Sequence, residues 1–465
     1  MDTRGGVGRA ALGWDGVSVG SGIASRFVPP FVNRLAPFKR IIGTTGGLML
    51  ATVINSGTGF VFWWIAARQF PEAVVGLAGA AIAAMLMLSQ ASVLGLGTTL
   101  AGVLHREPRA AALAVSALLS AASVGAVLGL GFVVVAPLIS SEFSPMSAGL
   151  AMVLFALGVS VTALNTVLDQ VLASSFRAMH QVGRTAIFGF GRLGLLMLVA
   201  VLLTPHGMVI YGAWVASAIV SLVVIGLLPH HIGRMGEIFP LPWGQLGGMA
   251  FGALSHHVLT LSRASSVSIL PVLVTGLISG EANASFYVAL LLANFIAVVC
   301  EASTFTLYVV GARSPLLLWR QIRFTLVLTG SVTVLGTLVL ALFGREILGI
   351  FGPTYAGSAY PAIVVLAAST IALVIKDHWI AIQRVRGTVG RASAIGVATL
   401  ALELGAAATG AVLAGVLGLA LARLAVLVVE ATLMLPVVLR ELRPSPAGPD
   451  RSAWPVSERA GDVPQ

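Results

Sequence analysis

The sequence predicts an all-α, multi-pass membrane protein of about twelve transmembrane helices, arranged as two pseudo-symmetric six-helix lobes. Three observations predict it. The chain is 57% hydrophobic and only 9% charged, so few of its 465 residues suit water. Its apolar runs are long enough to cross a bilayer as helices of about 20 residues, whereas a β-barrel needs alternating segments of about 10. Short motifs of the first half also return about 208 residues later. Arg106-Glu107-Pro108 is answered by Arg313-Ser314-Pro315, and Phe143-Ser144-Pro145 by Phe351-Gly352-Pro353. Asp169-Gln170 is answered by Asp377-His378, Gly183-Arg184 by Gly390-Arg391, and Glu72 by Glu281.

The apolar runs place spans at roughly 41–67, 73–98, 110–138, 148–173, 183–204, 208–229, 247–274, 283–310, 319–343, 358–377, 391–412 and 416–438. The repeat groups them as a first lobe at 41–230 and a second at 247–440, joined by a crossover at 231–246 that carries Pro240, Pro242 and Trp243. Six spans return the chain to the side it left, so the halves share one orientation about an axis along the membrane normal. Residues 1–40 form a basic leader in which Phe27, Phe31, Leu35 and Phe38 alternate with bases and prolines. Both a membrane-surface segment and a disordered leader fit that pattern. Residues 441–465, Pro-rich and charged, read as a loose tail.

The net charge of +10 resolves into topology once the bases are placed. Arg26, Arg34, Lys39 and Arg40 precede the first span. Arg106, Arg109, Arg177, Arg184 and Arg234 fall in alternate loops, followed by Arg313, Arg320, Arg323, Lys376, Arg384, Arg386, Arg391, Arg440 and Arg443. The opposite loops hold only Arg68 and Arg345. The positive-inside rule then puts both termini in the cytoplasm. Contact with anionic lipids follows from such a face, and nothing favours nucleic acid. Cys300 sits alone in an apolar run, so no disulfide framework exists. The outward loops offer Glu72, Glu142, His206, Glu281 and Glu346, scattered and close to span ends. No paired carboxylates, metal-ligand cluster or activated nucleophile assembles from them, so neither an enzyme nor a cofactor is expected.

Polar residues inside the spans are the site candidates, because burying them in lipid is costly. In span seven, His256 and Arg263 share one face beside Ser255, Ser262 and Ser266. Arg263 lies near mid-depth and stays charged, which requires water, an acid partner or an anionic ligand. Span eight carries Tyr287, Asn294, Glu301 and Tyr308 at seven-residue spacing, and Glu301 suits either a pair with Arg263 or proton uptake. Arg192 in span five is the first half's cation, for an anion or for Asp169. Asn165 and Asp169 share a face of span four, Asp377 stands in the equivalent place in span ten beside Lys376, and both acids suit caps or gate ion pairs. Glu403 and Arg423 fall at comparable depth and suit a buried pair that Glu430 extends. Asn55 and Ser56 make span one polar at mid-depth without an acid.

Several of these stretches resemble a known family. Ala67-Arg68-Gln69-Phe70-Pro71-Glu72 with Gly76, Leu94-Gly95-Leu96-Gly97-Thr98, Asp169-Gln170 and Phe351-Gly352-Pro353-Thr354-Tyr355-Ala356 look like the turns of polysaccharide-type transporters. Together, over about residues 38–440, the chain resembles the oligosaccharide-lipid flippases of the multidrug/oligosaccharidyl-lipid/polysaccharide exporter superfamily. The resemblance implies two lobes around a V-shaped cavity that opens alternately to each side of a bacterial plasma membrane. It implies a polyprenyl-diphosphate-linked glycan as cargo, with glycosyltransferases or a polymerase of the same pathway as possible neighbours. Cavity arginines would hold the diphosphate, a role that Arg263 and Arg192 suit, with His256, Asn294 and Asn55 as further substrate contacts. A drug or cation antiporter of the same superfamily is the first rival, although its customary acid in span one is Asn55 here. A non-transport scaffold of a glycan-assembly complex is the second. A twelve-helix facilitator is a fold-level rival, but its basic signature after span two is not matched by His105-Arg106-Glu107-Pro108-Arg109.

Overall fold

The computed structural model describes residues 39–442 except 104–106, 108, 175–177, 204–205, 228–238 and 314–317. Most of the basic leader, much of the crossover, nearly all of the tail, and Arg106, Arg177 and Arg234 therefore lie outside the described residues.

Among the described residues fifteen α-helices carry the chain and no strand occurs. The first half comprises α1 (Lys39–Gln69), α2 (Glu72–Ser92), α3 (Leu96–Val103), α4 (Ala110–Ile139), α5 (Ser144–Ser147), α6 (Leu150–Ser174), α7 (Ala178–Leu202) and α8 (Gly207–Gly226). The second comprises α9 (Trp243–Ser268), α10 (Leu270–Leu277), α11 (Gly280–Arg313), α12 (Leu318–Gly349), α13 (Pro353–Ser358), α14 (Tyr360–Val385) and α15 (Val389–Glu441). Ten of these helices are long and apolar enough to cross a membrane, and the bent pair α9–α10 forms an eleventh crossing. The 53-residue α15 contains two crossings, because Ala414 and Gly415 leave helical geometry between them. The described residues thus hold the twelve crossings that the apolar runs predict.

Two breaks depart from that pattern. The second span divides after Ser92, where Leu94 (φ 52°) and Gly95 (φ 70°) take left-handed geometry, so the Leu94–Thr98 motif is a kink. The kink brings Gly95 against span seven, where an added Cβ would lie 3.0 Å from the Cβ of Ala253. Span seven bends by 43° at the junction of α9 and α10, just before Pro271, which cannot donate to the helical ladder.

The halves repeat in packing as well as in sequence. α1 packs on α7 as α9 packs on α15, α4 on α6 as α12 on α14, and α2 on α6 as α11 on α14. The Phe-x-Pro echo also has a common structure: each leads into a short helix with proline in its first turn, anchored by a buried Phe143 or Phe351.

The halves meet mainly where α2 lies against α11. Gly76 touches Gly280 so closely that an added Cβ would sit 1.7 Å from its carbonyl oxygen. Asn283 donates to the Gly76 carbonyl (2.7 Å), and the Gly280 amide donates to Glu142 (3.0 Å). Trp64 and Arg68 both donate to the Ile350 carbonyl at 3.0 Å. Phe60 meets Phe351 edge-on at 5.3 Å, and Trp63 tilts over Tyr287 at 4.4 Å. All these contacts lie towards one end of the bundle, opposite the end that carries Arg109, Arg184, Arg384, Arg386 and Arg440. At the basic end α9 lies against α2, α3 and α4, with His257 3.3 Å from the Ala91 carbonyl and Gln245 donating to Glu107 (2.9 Å), while Arg109 donates to the Pro240 carbonyl of the crossover (2.5 Å).

Candidate functional site

The charged residues inside the bundle sort into two groups, one per half. In the first half α6 presents Asn165 and Asp169 one turn apart, and α7 brings Arg184 onto both. Arg184 donates to Asp169 through Nε (2.8 Å) and a second nitrogen, and to the Asn165 side-chain oxygen (2.6 Å). The fork geometry suits a carboxylate held side-on. Deeper in the half, Arg192 is 1% exposed. It donates to the Asn55 carbonyl (2.8 Å) and the Thr58 hydroxyl (2.9 Å). Its guanidinium lies 4.5 Å from the Trp214 ring centre and 4.7 Å from Phe188. Ring faces and oxygen dipoles thus surround this cation in place of a carboxylate.

In the second half, Arg263 of α9 donates to both oxygens of Asp377 on α14, at 2.5 and 3.0 Å. Next to Asp377, Lys376 bonds Glu403 and reaches Glu430 at 2.7 Å. Arg423 lies 3.5 Å from Glu403, which also accepts from Ser266. Three acids and three bases therefore balance inside this half, across α9, α14 and both arms of α15. Charges removed from water persist when each is paired and hydrogen-bonded, and every group here has a partner of opposite charge, although Arg423 Nε and one Glu430 oxygen make no hydrogen bond.

These contacts alter several expectations. Arg192 does not pair with Asp169, whose partner is Arg184. Arg263 does not pair with Glu301; its guanidinium is engaged by Asp377, and the exposed Glu301 lies within electrostatic reach. Asp377 is not at a helix end, since α14 continues to Val385 and holds it two turns inside. Glu403 and Arg423 are buried at 0% and 2% exposure and meet as the sequence suggests, with Lys376 joining them. His256 is exposed on α9, and Asn294 is half-buried on α11.

The intramembrane residues also have the counterpart that the motif echo did not give. Asn55 and Arg263 stand 208 residues apart, as do Thr58 and Ser266. Thr58 faces Arg192 of α7, and Ser266 faces Glu403 of α15, the matching helix pair. The scaffold is repeated, while a lone cation at Thr58 is replaced by an acid and a base, Glu403 and Arg423, at Ser266.

A cavity of about 430 Å³ opens within the first half. It runs between α1, α2, α6, α7 and α8, from Gln181, Asp169 and Arg184 near the basic end inward to Asn55, Phe188 and Trp214. Thr52, Thr162, Asn165, Thr166 and Thr185 complete its polar wall. Arg192 lies behind that wall, covered by the residues that bind it. Of the sequence candidates, Asn55, Asn165 and Asp169 border this cavity. Arg263 and Lys376 instead border a much smaller void of about 10 Å³, of the size that holds a single water. Arg184, Gln181, Phe188 and Trp214 were not legible as cavity residues, because nothing in an apolar run distinguishes a side chain facing a cleft from one facing lipid.

This architecture has close structural relatives. A multidrug resistance MATE family transporter of the MOP superfamily, solved facing inward, superposes with a TM-score of 0.66 at 15% identity, covering 86% of this chain and 98% of that one. The fold is that of the MATE transporters. A MATE transporter from Vibrio cholerae (TM-score 0.55, 13% identity, 88% and 97% covered) shares it. So does a MOP superfamily transporter from Pyrococcus furiosus (TM-score 0.54, 15% identity, 87% and 96% covered), described as having a binding pocket of reversed polarity. No protein-family model and no curated protein sequence matches the chain.

Proposed function

We propose that the chain is an alternating-access flippase that carries a polyprenyl-diphosphate-linked oligosaccharide, or a related glycolipid, from the inner to the outer leaflet of a bacterial plasma membrane. The observation that carries this reading is the character of the cavity wall. Its single carboxylate among the described residues, Asp169, is engaged on both oxygens by Arg184, and span one presents Asn55 where an antiporter would place an acid. A cationic drug or coupling ion would find no free carboxylate there, and a lone charge in such a site is costly without one. The basic end, taken as cytoplasmic, is where the cavity begins, and the opposite end is sealed along Gly76 and Ile350. Rocking of the halves about the α2–α11 seam would transfer access from one leaflet to the other. Arg263 and Arg192 remain the proposed diphosphate contacts, each needing to leave its present partners in another state of the cycle, and His256 and Asn294 remain accessory contacts on the second half.

Cells deprived of the protein are expected to accumulate the lipid-linked precursor in the inner leaflet and lose the surface glycan, at unchanged drug susceptibility. Sensitisation to cationic drugs with normal surface glycan would reverse the assignment in favour of the antiporter. Glu301, exposed and within electrostatic reach of Arg263, is the proposed proton carrier. Export by the Glu301→Gln protein should lose its response to external pH, and an unchanged response would remove Glu301 from that role.

A further inference from the structure

The cavity of the first half is walled by amides, hydroxyls and aromatic rings around one ion pair. We propose that it receives the uncharged sugar head group of the cargo, with Trp214 and Phe188 as its stacking platform and the charged linker left outside. This rests on the flippase reading and names the subsite within it. The volume of about 430 Å³ falls in the ~300–1,000 Å³ range of small-molecule sites. The chemistry of the wall selects the class. Amides and hydroxyls, among them Asn55, Gln181 and Thr185, supply both donors and acceptors, the pairing that a polyhydroxylated ring requires. The Gln181 side-chain oxygen is buried and has no partner, which leaves an acceptor in place for a ligand hydroxyl. Phe188 and Trp214 border the same space, and aromatic faces suit the C–H faces of sugars.

Charge excludes the alternatives. A phosphate needs a free cation, yet the charge of Arg184 is already paired with Asp169, with a further bond to Asn165, and Arg192 lies behind the wall at 1% exposure. A lipophilic cation needs a free carboxylate, and Asp169 is engaged. In this state of the cycle, before it is released towards the diphosphate, Arg192 is a positioning residue: it ties Asn55 and holds both rings by their faces.

The test uses Thr166→Cys, on the cavity wall, in a Cys300→Ala background, with the full chain in lipid nanodiscs. The rate of alkylation by N-ethylmaleimide is measured with octyl glucoside, octyl maltoside, octyl diacetylchitobioside, pyrophosphate or tetraphenylphosphonium. At least one neutral glycoside is expected to slow labelling about tenfold at saturation, a difference of about 1.4 kcal/mol, with pyrophosphate and the cation without effect. Trp214→Ala should abolish the protection. If that variant does not reach the membrane, Gln181→Ala serves in its place, since it removes the unpartnered acceptor without touching the packed rings. Protection by pyrophosphate or by the cation alone, or by none of the five, overturns the proposal. Glycan export in cells separates the two ideas: export without protection sinks the cavity assignment alone, and protection without export sinks the flippase.

Discussion

Replacing Lys376 with Met is expected to produce the largest loss of stability of any single change in the bundle. The ammonium holds Glu403 and Glu430 together at 0% and 4% exposure, with Arg423 as the remaining nearby base. Its removal leaves two buried carboxylates with one cation between them. Breaking a buried pair by deleting one partner costs ~3–5 kcal/mol, because the other charge stays stranded. The purified variant should melt well below the parent and reach the membrane in reduced amount. Removing one acid as well, in Lys376→Met/Glu430→Gln, should recover part of the loss by restoring the balance of charges. A Lys376→Met protein that melts with the parent would show that this network does not fasten the second half.

Arg263→Ala is expected to abolish glycan export, and the double variant decides why. The Asp377 side chain is 6% exposed and would lose both of its bonds to Arg263, again a cost of ~3–5 kcal/mol. Loss of export by the single variant is therefore ambiguous between a damaged fold and a missing cargo contact. Arg263→Ala/Asp377→Ala removes the stranded charge together with its cause. The cargo role predicts that this double variant folds with the stability of the parent and still fails to export. Export at the parental level by the double variant would reduce Arg263 to a fastener.

The fold was legible because a bilayer leaves few choices. Apolar runs of spanning length could only be helices, and the recurrence of Asp169 as Asp377 and of Phe143 as Phe351 gave the duplication. The kink at Leu94–Gly95 was visible as a motif but not as a break, because its reason, close packing against Ala253, lies in another span. The site was less legible. The apolar pattern puts Arg184 in a loop, since charge ends an apolar run. Its helix begins at Ala178, six residues earlier, and Asp169 and Asn165 repay its burial from a neighbouring helix. Lys376 and Asp377 misled in the same way, ending the predicted tenth span although α14 carries them inside. A sequence shows that a charge sits in an apolar context, but the partner that makes this tolerable comes from the fold. Arg192 shows the limit most clearly: its depth was readable, but its enclosure by Phe188, Trp214, Asn55 and Thr58 was not.

The account stands most directly on reconstitution. The protein in proteoliposomes should move a fluorescent, short-chain polyprenyl-diphosphate-linked oligosaccharide between leaflets, scored by its accessibility to a membrane-impermeant quencher. Glycolipid movement well above that of empty liposomes is expected, with no exchange of ethidium for protons across an imposed pH gradient. Ethidium exchange in the absence of glycolipid movement would contradict the flippase assignment.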